Sequence, residues 1–339
     1  MRRGARIWLA LGILTVLSWL PARVWADETD NFTCRGRPLT DSAGALDGWV
    51  NARILEAVDR ANRRGSAGCD AACLTRELQD RIGGSARRPP TWIPHARLAR
   101  WIERQPGIDR CHLAFEQSIY GARPYNQPWR VPFTHRIIFL ADSIRLADRV
   151  VGIDKINHFI REGLAHWRAA ARPGHDIAAV VAQELGPPGR SLRMTEHGLK
   201  GMTLTGVLSY ADLAASYAGF GFWGEALSLG QPGSLVAYDP ASRRFVQRRP
   251  FSVAEYVNDA WDESINCSAF HPALGKEVRA ALDRRATTCP VTDCRHLAGL
   301  KNARLYVSPV CQAPPRDYGK LSMATGARVP AGVKPNTLP

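Results

Sequence analysis

Residues 152–167 read GIDKINHFIREGLAHW, and no other part of the chain packs so many groups able to move a proton or hold a metal into so short a run. At about 100° per residue, Ile153, Ile156, Ile160, Leu164 and Trp167 gather on one side, the pattern of a helix lying on a core. Asp154, His158, Glu162 and His166 step by four, so each is within side-chain reach of the next along a stripe opposite the apolar face. Lys155 and Arg161 flank that stripe. A polar face so placed is ordinarily solvated, with Glu162 and His166 making a weak pair. It becomes a site only if a second polar element covers it. His158, Glu162 and His166 could then offer two imidazoles and a carboxylate to one divalent metal. Alternatively, His158 and Glu162 could act as an acid/base pair, with Asp154 orienting His158. The spacing differs from the His-Glu-x-x-His of zinc peptidases.

Working outward, the chain of 339 residues carries a formal charge of +14. Residues 1–26 have the form of a Sec-type signal peptide. Arg2, Arg3 and Arg6 precede an apolar run over 7–20, and Val24-Trp25-Ala26 offers a cleavage site. That run falls short of the roughly 20 residues a membrane span needs, so retention as an uncleaved anchor is the secondary reading. No later apolar stretch is long enough to span. The expectation is therefore a periplasmic or secreted protein with no transmembrane span in its mature part, a helical domain over 27–311 and a disordered, proline-containing tail over 312–339. A basic exported surface meets no nucleic acid. Anionic envelope lipid or polysaccharide is its natural counter-surface, unless the charge serves no specific partner.

The eight cysteines, Cys34, Cys69, Cys73, Cys111, Cys267, Cys289, Cys294 and Cys311, all fall in that mature part. An even count in an oxidising compartment argues for up to four disulfides. Cys69-x3-Cys73 and Cys289-x4-Cys294 lack the Cys-x-x-Cys spacing of redox enzymes and zinc ribbons, so staples are preferred over metal or redox roles. Four cysteines precede residue 112 and four follow 266. The staples therefore either lock each end separately or tie the two ends together.

Residues 41–64 make an amphipathic helix with Leu46, Trp49, Val50, Ile54 and Val58 inward, closed by Gly65. Shorter helices are expected over 73–82, 95–103, 177–185 and 275–285. Residues 106–134, punctuated by four prolines, should be irregular, with Tyr120, Tyr125, Trp129 and Phe133 capping the core. Residues 136–153 fit an amphipathic helix or a hairpin with arms 144–146 and 149–151; the hairpin is preferred, feeding the central helix. Residues 234–247 form the clearest hairpin, turning at 239–242. Ser209 can N-cap a helix of small residues, with Asp212 as its third residue and Ser216 one turn on. Ser252 to Glu255 is a second capping box, expected to start a helix holding Tyr256, Val257 and Trp261. Glu196 and His197, in the loop before Ser209, could cover the polar stripe. The fold class is thus mainly α, a single disulfide-stapled helical domain with one or two small β-hairpins. A phosphate-binding glycine loop, a Gly-x-Ser-x-Gly elbow and a Rossmann fingerprint are all absent from the sequence.

Three blocks carry a resemblance: Gly152-Ile153-Asp154-Lys155-x-x-His158-Phe159, then Thr205-Gly206-Val207-x-Ser209-Tyr210-Ala211-Asp212-Leu213-Ala214, then Trp261-Asp262-Glu263-x-x-Asn266. Together they resemble a group of uncharacterised exported proteins of proteobacteria. The Asp-Lys-x-x-His-Phe element alone is similar to that of VanZ-like envelope proteins. The blocks span 152–266, under half the chain. Ser216 stands where the resemblance leads one to expect Asn. The resemblance implies no activity, but it implies that Asp154, His158, Asp212, Glu263 and Asn266 form one constellation. The functional expectation is an exported hydrolase or transferase acting on an envelope lipid or glycan through these residues and Glu162. The competing expectation is a non-catalytic envelope protein in which the same groups form a buried polar network.

Overall fold

A computed structural model describes residues 27–65, 68–84, 96–121, 139–185, 195–197, 201–202 and 205–312. The expected signal segment, the tail beyond 312, and Tyr125, Trp129 and Phe133 lie outside the described residues. The described chain is mainly helical, with eight short strands that form only two-stranded pairs. No helix among these residues is long and apolar enough to cross a membrane.

The first long helix, α1 (Ala43–Arg64), buries Leu46, Trp49, Val50, Ile54, Ala57, Val58 and Ala61, a stripe at helical spacing. Gly65 stops it with φ +70°, a backbone setting that other residues adopt at a cost. Asp70 accepts from the Cys73 N–H at 2.8 Å and so caps α2 (Ala71–Ile82), which lays Leu74, Leu78 and Ile82 against the same core. A short helix, α3 (Arg97–Arg104), adds Leu98, Ala99 and Ile102.

The stretch before the central helix is the hairpin, with β3 (Ser143–Leu146) antiparallel to β4 (Arg149–Gly152). Ala147 and Asp148 turn it with φ of 47° and 68°, the twist that suits a two-residue hairpin loop. The strand β1 (Asp27–Thr29) pairs in parallel with β2 (Phe139–Ala141), which brings the start of the described chain to the foot of this hairpin. The chain then enters the central helix, α4, directly. It runs as α-helix over Ile153–Asn157, as one π turn over His158–Glu162, and as α-helix again over Gly163–Ala170. After α5 (Ile177–Glu184), the strand β5 (Val207–Leu208) leads into α6 (Tyr210–Leu227), and Ser209 caps α6 by accepting from the Asp212 N–H.

Helix α6 is apolar nearly all round and buried along most of its length. It lies on α4 at a glycine crossing. A Cβ on Gly219 would stand 1.9 Å from the Phe159 carbonyl oxygen, and one on Gly163 would stand 2.5 Å from the Gly219 carbonyl carbon. The π turn also presents the Ile160 carbonyl to the Trp223 Nε1–H at 2.7 Å. Above the crossing, Phe159 packs on Phe222, Tyr256 and Trp261 with ring centroids 5.2, 5.4 and 5.5 Å away. Gly219→Ala should therefore destabilise by about 1–3 kcal/mol, since the lost clearance outweighs the roughly 1 kcal/mol that alanine adds to a helix. Gly221→Ala, two residues on in open space, should instead stabilise slightly. Thermal melts of the two variants should move in opposite directions; parallel shifts would contradict the close crossing.

The hairpin of β6 (Val236–Asp239) and β7 (Arg244–Gln247) rests on α1, where Asn62 both donates to the Phe245 carbonyl and accepts from its N–H, at 2.9 and 2.8 Å. The helix expected after Ser252 does not form. Two isolated 3-10 turns, Val253–Glu255 and Asp259–Trp261, stand in its place. The reason is tertiary: Asp47 on α1 takes both the Ser252 hydroxyl and the Val253 N–H, so the cap groups are spent on another element. Strand β8 (Ala269–Phe270) pairs with β5 and draws the 261–266 segment toward the start of α6. The helix α7 (Pro272–Arg284) follows, and Gln312, expected in the tail, closes a last helical turn over Pro309–Gln312.

Four disulfides join Cys34 to Cys111, Cys69 to Cys73, Cys267 to Cys289 and Cys294 to Cys311. Each end is therefore locked separately, and no cysteine is free. The ends meet without a covalent bond, through Arg35 and Asp262 at 2.6 Å.

Candidate functional site

Lys155 sits second to Asp154 in the first turn of α4, and its side chain is 0% exposed. Its Nζ donates to Asp154 Oδ2 at 2.7 Å and to Glu263 Oε1. It also stands 2.6 Å from Asp212 Oδ1, an ion-pair distance off the hydrogen-bond axis. Three segments far apart in sequence thus converge on one ammonium. Each carboxylate is in turn held. Thr29 on β1 donates to Asp154 Oδ1 at 2.7 Å, and the Lys155 N–H does so at 2.9 Å. The Ser209 hydroxyl donates to Glu263 Oε1 at 2.9 Å while accepting from the Asp212 N–H at 3.1 Å. Asp212 therefore does not close a reciprocal capping box; its carboxylate is turned to Lys155 and His158.

Glu28 lies beneath this group, fully buried, with Oε1 accepting from the Thr205 hydroxyl at 2.7 Å and Oε2 without a hydrogen bond. Burial first, and then the charges of Glu263 and Asp212, hold its carboxyl well above the usual range. Burial likewise pushes Glu263 up to about 7, against the lowering effect of Lys155 and with the help of Asp212 and Asp154. For Lys155, burial opposes the charge, but the three carboxylates outweigh it and keep the ammonium well above its ordinary pKa. The Tyr120 hydroxyl, buried and without a hydrogen-bond partner, is raised by burial and by the charges of Glu263 and Glu28.

His158 opens the π turn and carries the cluster toward the surface, with a side chain 13% exposed. Its Nε2 stands 3.3 Å from Asp212 Oδ2, and its Nδ1 stands 3.3 Å from Ser216 Oγ and 3.9 Å from Glu196 Oε1. Glu196 thus reaches the stripe from the loop before α6. The stripe itself is divided. A π turn adds about one residue to a helical turn, which swings everything beyond it by roughly 100°. His166 accordingly faces elsewhere and pairs with Glu184 at 3.3 Å, buried. Asn266 is wholly buried but serves the backbone, donating to the Ala260 and Tyr306 carbonyls and accepting from the Ser308 N–H at 2.9, 3.0 and 2.8 Å. Asp262 points away, to Arg35 and Ser264.

Among the described residues, two groups of three bring possible ligand atoms within 4.8 Å of one another: Asp154, Asp212 and Glu263, and His158, Glu196 and Asp212. His158, Glu162 and His166 are not such a group; the π turn separates them. In the first group the Lys155 ammonium already occupies the place a cation would take. A surface depression lined by Ile108, Asp109, Arg110, His112 and Asp142 contains none of these residues.

The spacing places Lys155 only as a flank of the polar stripe and gives no part to Glu28 or Thr29. The overlooked signal was α6 itself. A helix with apolar and small residues on every side must be covered on every side, so its lone early acid, Asp212, needed a buried partner. Comparison with protein-family models, curated proteins and solved structures finds no match to this chain.

Proposed function

We propose that this chain is an exported envelope protein that hydrolyses or transfers a group on an anionic envelope lipid or glycan, with His158 as its working residue, either an acid/base group or a ligand of one divalent metal. One observation carries the reading: among the cluster's linked polar groups, His158 joins the buried Lys155 network to the surface, and it does so from a π turn. Such turns recur at functional sites because they aim a side chain that a regular helix would hide. Asp212 orients the imidazole, Lys155 fixes Asp212, and Asp154 and Glu263 hold Lys155. The export reading is supported by the four disulfides, bonds that persist in oxidising compartments. It is also supported by the form of residues 1–26 and by the resemblance of the three blocks to exported proteins. The chain, +14 in full and still +10 once Arg2, Arg3, Arg6 and Arg23 leave with residues 1–26, suits an anionic substrate.

A second reading, a non-catalytic protein fastened by a buried network, is favoured by the complete burial of Lys155 and Asn266. The two part company at His158→Ala. The enzymatic reading expects product release from a panel of envelope phospholipids and glycan fragments, followed by mass spectrometry, to fall by about 10²–10⁴-fold while the melting temperature changes little. No turnover by the wild type, together with a variant that loses several kcal/mol, would replace it with the network reading.

A further inference from the structure

We propose that His158, Glu196 and Asp212 form a site for one divalent cation of zinc-like preference. The inference rests on the reading of the His158 edge as the working edge. The three residues come from three separate elements: the π turn of α4, the 195–197 segment and α6. The 3.3 Å between His158 Nε2 and Asp212 Oδ2 is long for a charge-assisted hydrogen bond, which closes to about 2.7–2.9 Å. It is, however, the separation of neighbouring ligands around a tetrahedral ion with bonds of roughly 2.0–2.1 Å. One imidazole and two carboxylates, with one ligand atom from each within 4.8 Å of the others, make a three-ligand set with a fourth position open, as catalytic zinc sites have; Glu196, which stands 3.9 Å from Nδ1, moves toward the Nε2 side to complete it.

The ligands are also held from behind. Asp212 Oδ1 is fixed at 2.6 Å by Lys155, which leaves Oδ2 for the ion, and ligating carboxylates are commonly anchored in this way. Glu196 is buried, its N–H donates to Glu184 Oε2 at 3.0 Å, and its carbonyl accepts from the Met202 N–H at 2.8 Å. Gly201 makes room for it, since a Cβ there would stand 2.9 Å from Glu196 Oε2 and 2.5 Å from its carbonyl oxygen. All the cysteines are in disulfides, so no thiolate competes for the ion.

The test is equilibrium binding of Zn²⁺ to the chelator-stripped full chain, read by metal analysis and by the shift in melting temperature that Zn²⁺ produces. One ion per chain is expected. His158→Gln and Glu196→Gln should each weaken binding by about 100-fold or more and abolish the Zn²⁺-induced shift, whatever the variant's own melting temperature. Glu162→Gln should leave affinity within about twofold. Absence of stoichiometric Zn²⁺ in the wild type, or unchanged binding by His158→Gln, overturns the site. Binding without turnover of any envelope substrate would overturn the proposed reaction and leave the metal site standing.

Discussion

Replacing Lys155 by methionine is expected to cost about 3–5 kcal/mol, the typical result of removing one partner from a buried ion cluster. The lysine is wholly enclosed, and its removal leaves Asp154, Asp212 and Glu263 facing one another without a cation. Methionine fills much of the same volume, so the loss is electrostatic rather than a cavity effect. For a chain of this size the change corresponds to a drop of roughly 10 °C in melting temperature. It should also depend on pH in a defined direction. With the ammonium gone, the carboxyls can escape repulsion only by binding protons, so the deficit should be smaller at pH 5 than at pH 8. A variant as stable as the wild type at pH 8 would mean that Lys155 is not where the fold places it.

The second large effect belongs to the wild type. Most proteins gain stability as their carboxylates ionise, because folding lowers carboxylate pKa values; here two fully buried acids behave in the opposite way. Glu263 is raised from 4.5 to about 7, and Glu28 is raised as well, both chiefly by burial. A folded pKa above the unfolded one means that the native state holds the proton longer. The associated stability is complete below about pH 4.5 and is lost as pH rises through 7. For Glu263 alone the window corresponds to about 3 kcal/mol. Asp47 and Asp262 are raised too, and so add to the same slope, whereas the lowered acids Glu56, Asp148, Asp239 and Asp293 lie at or near the surface, where solvent screens their partners, and weigh little. Urea melts from pH 4.5 to 8 should therefore show declining stability, and Glu263→Gln, which cannot ionise, should flatten the decline. Stability that climbs across this window would contradict the buried position of Glu263.

Much of the local structure was readable from residue order. The apolar stripe of α1, the cap at Ser209 and the apolar face of the central helix follow from spacing and cap chemistry, because each is decided within a few residues; residues 136–153 fit a helix or a hairpin equally well by pattern, and the preferred hairpin is the one that forms. Lys155 was not legible for the opposite reason. Its burial depends on α6, more than fifty positions away in sequence, closing over the polar face at the Gly163–Gly219 crossing. The π turn was equally hidden. Nothing in HFIRE forbids a regular helix, and the i,i+4 stripe drawn through it assumed one, which is why His158 and His166 were grouped although they part company. The failed helix after Ser252 has the same origin: a correct local cap signal, overruled by Asp47 on a distant element. The meeting of the 154, 212 and 263 segments was suggested only by the resemblance of the three blocks, never by spacing.

The convergence of those segments can be tested directly by nitrogen-15 NMR of the lysine ammonium groups. Lys155 should give an ammonium signal protected from solvent exchange, still protonated when the other lysines have begun to titrate, and coupled to carboxyl carbons of Asp154 and Glu263. A Lys155 signal that exchanges as fast as the surface lysines and titrates near its ordinary pKa would contradict the account.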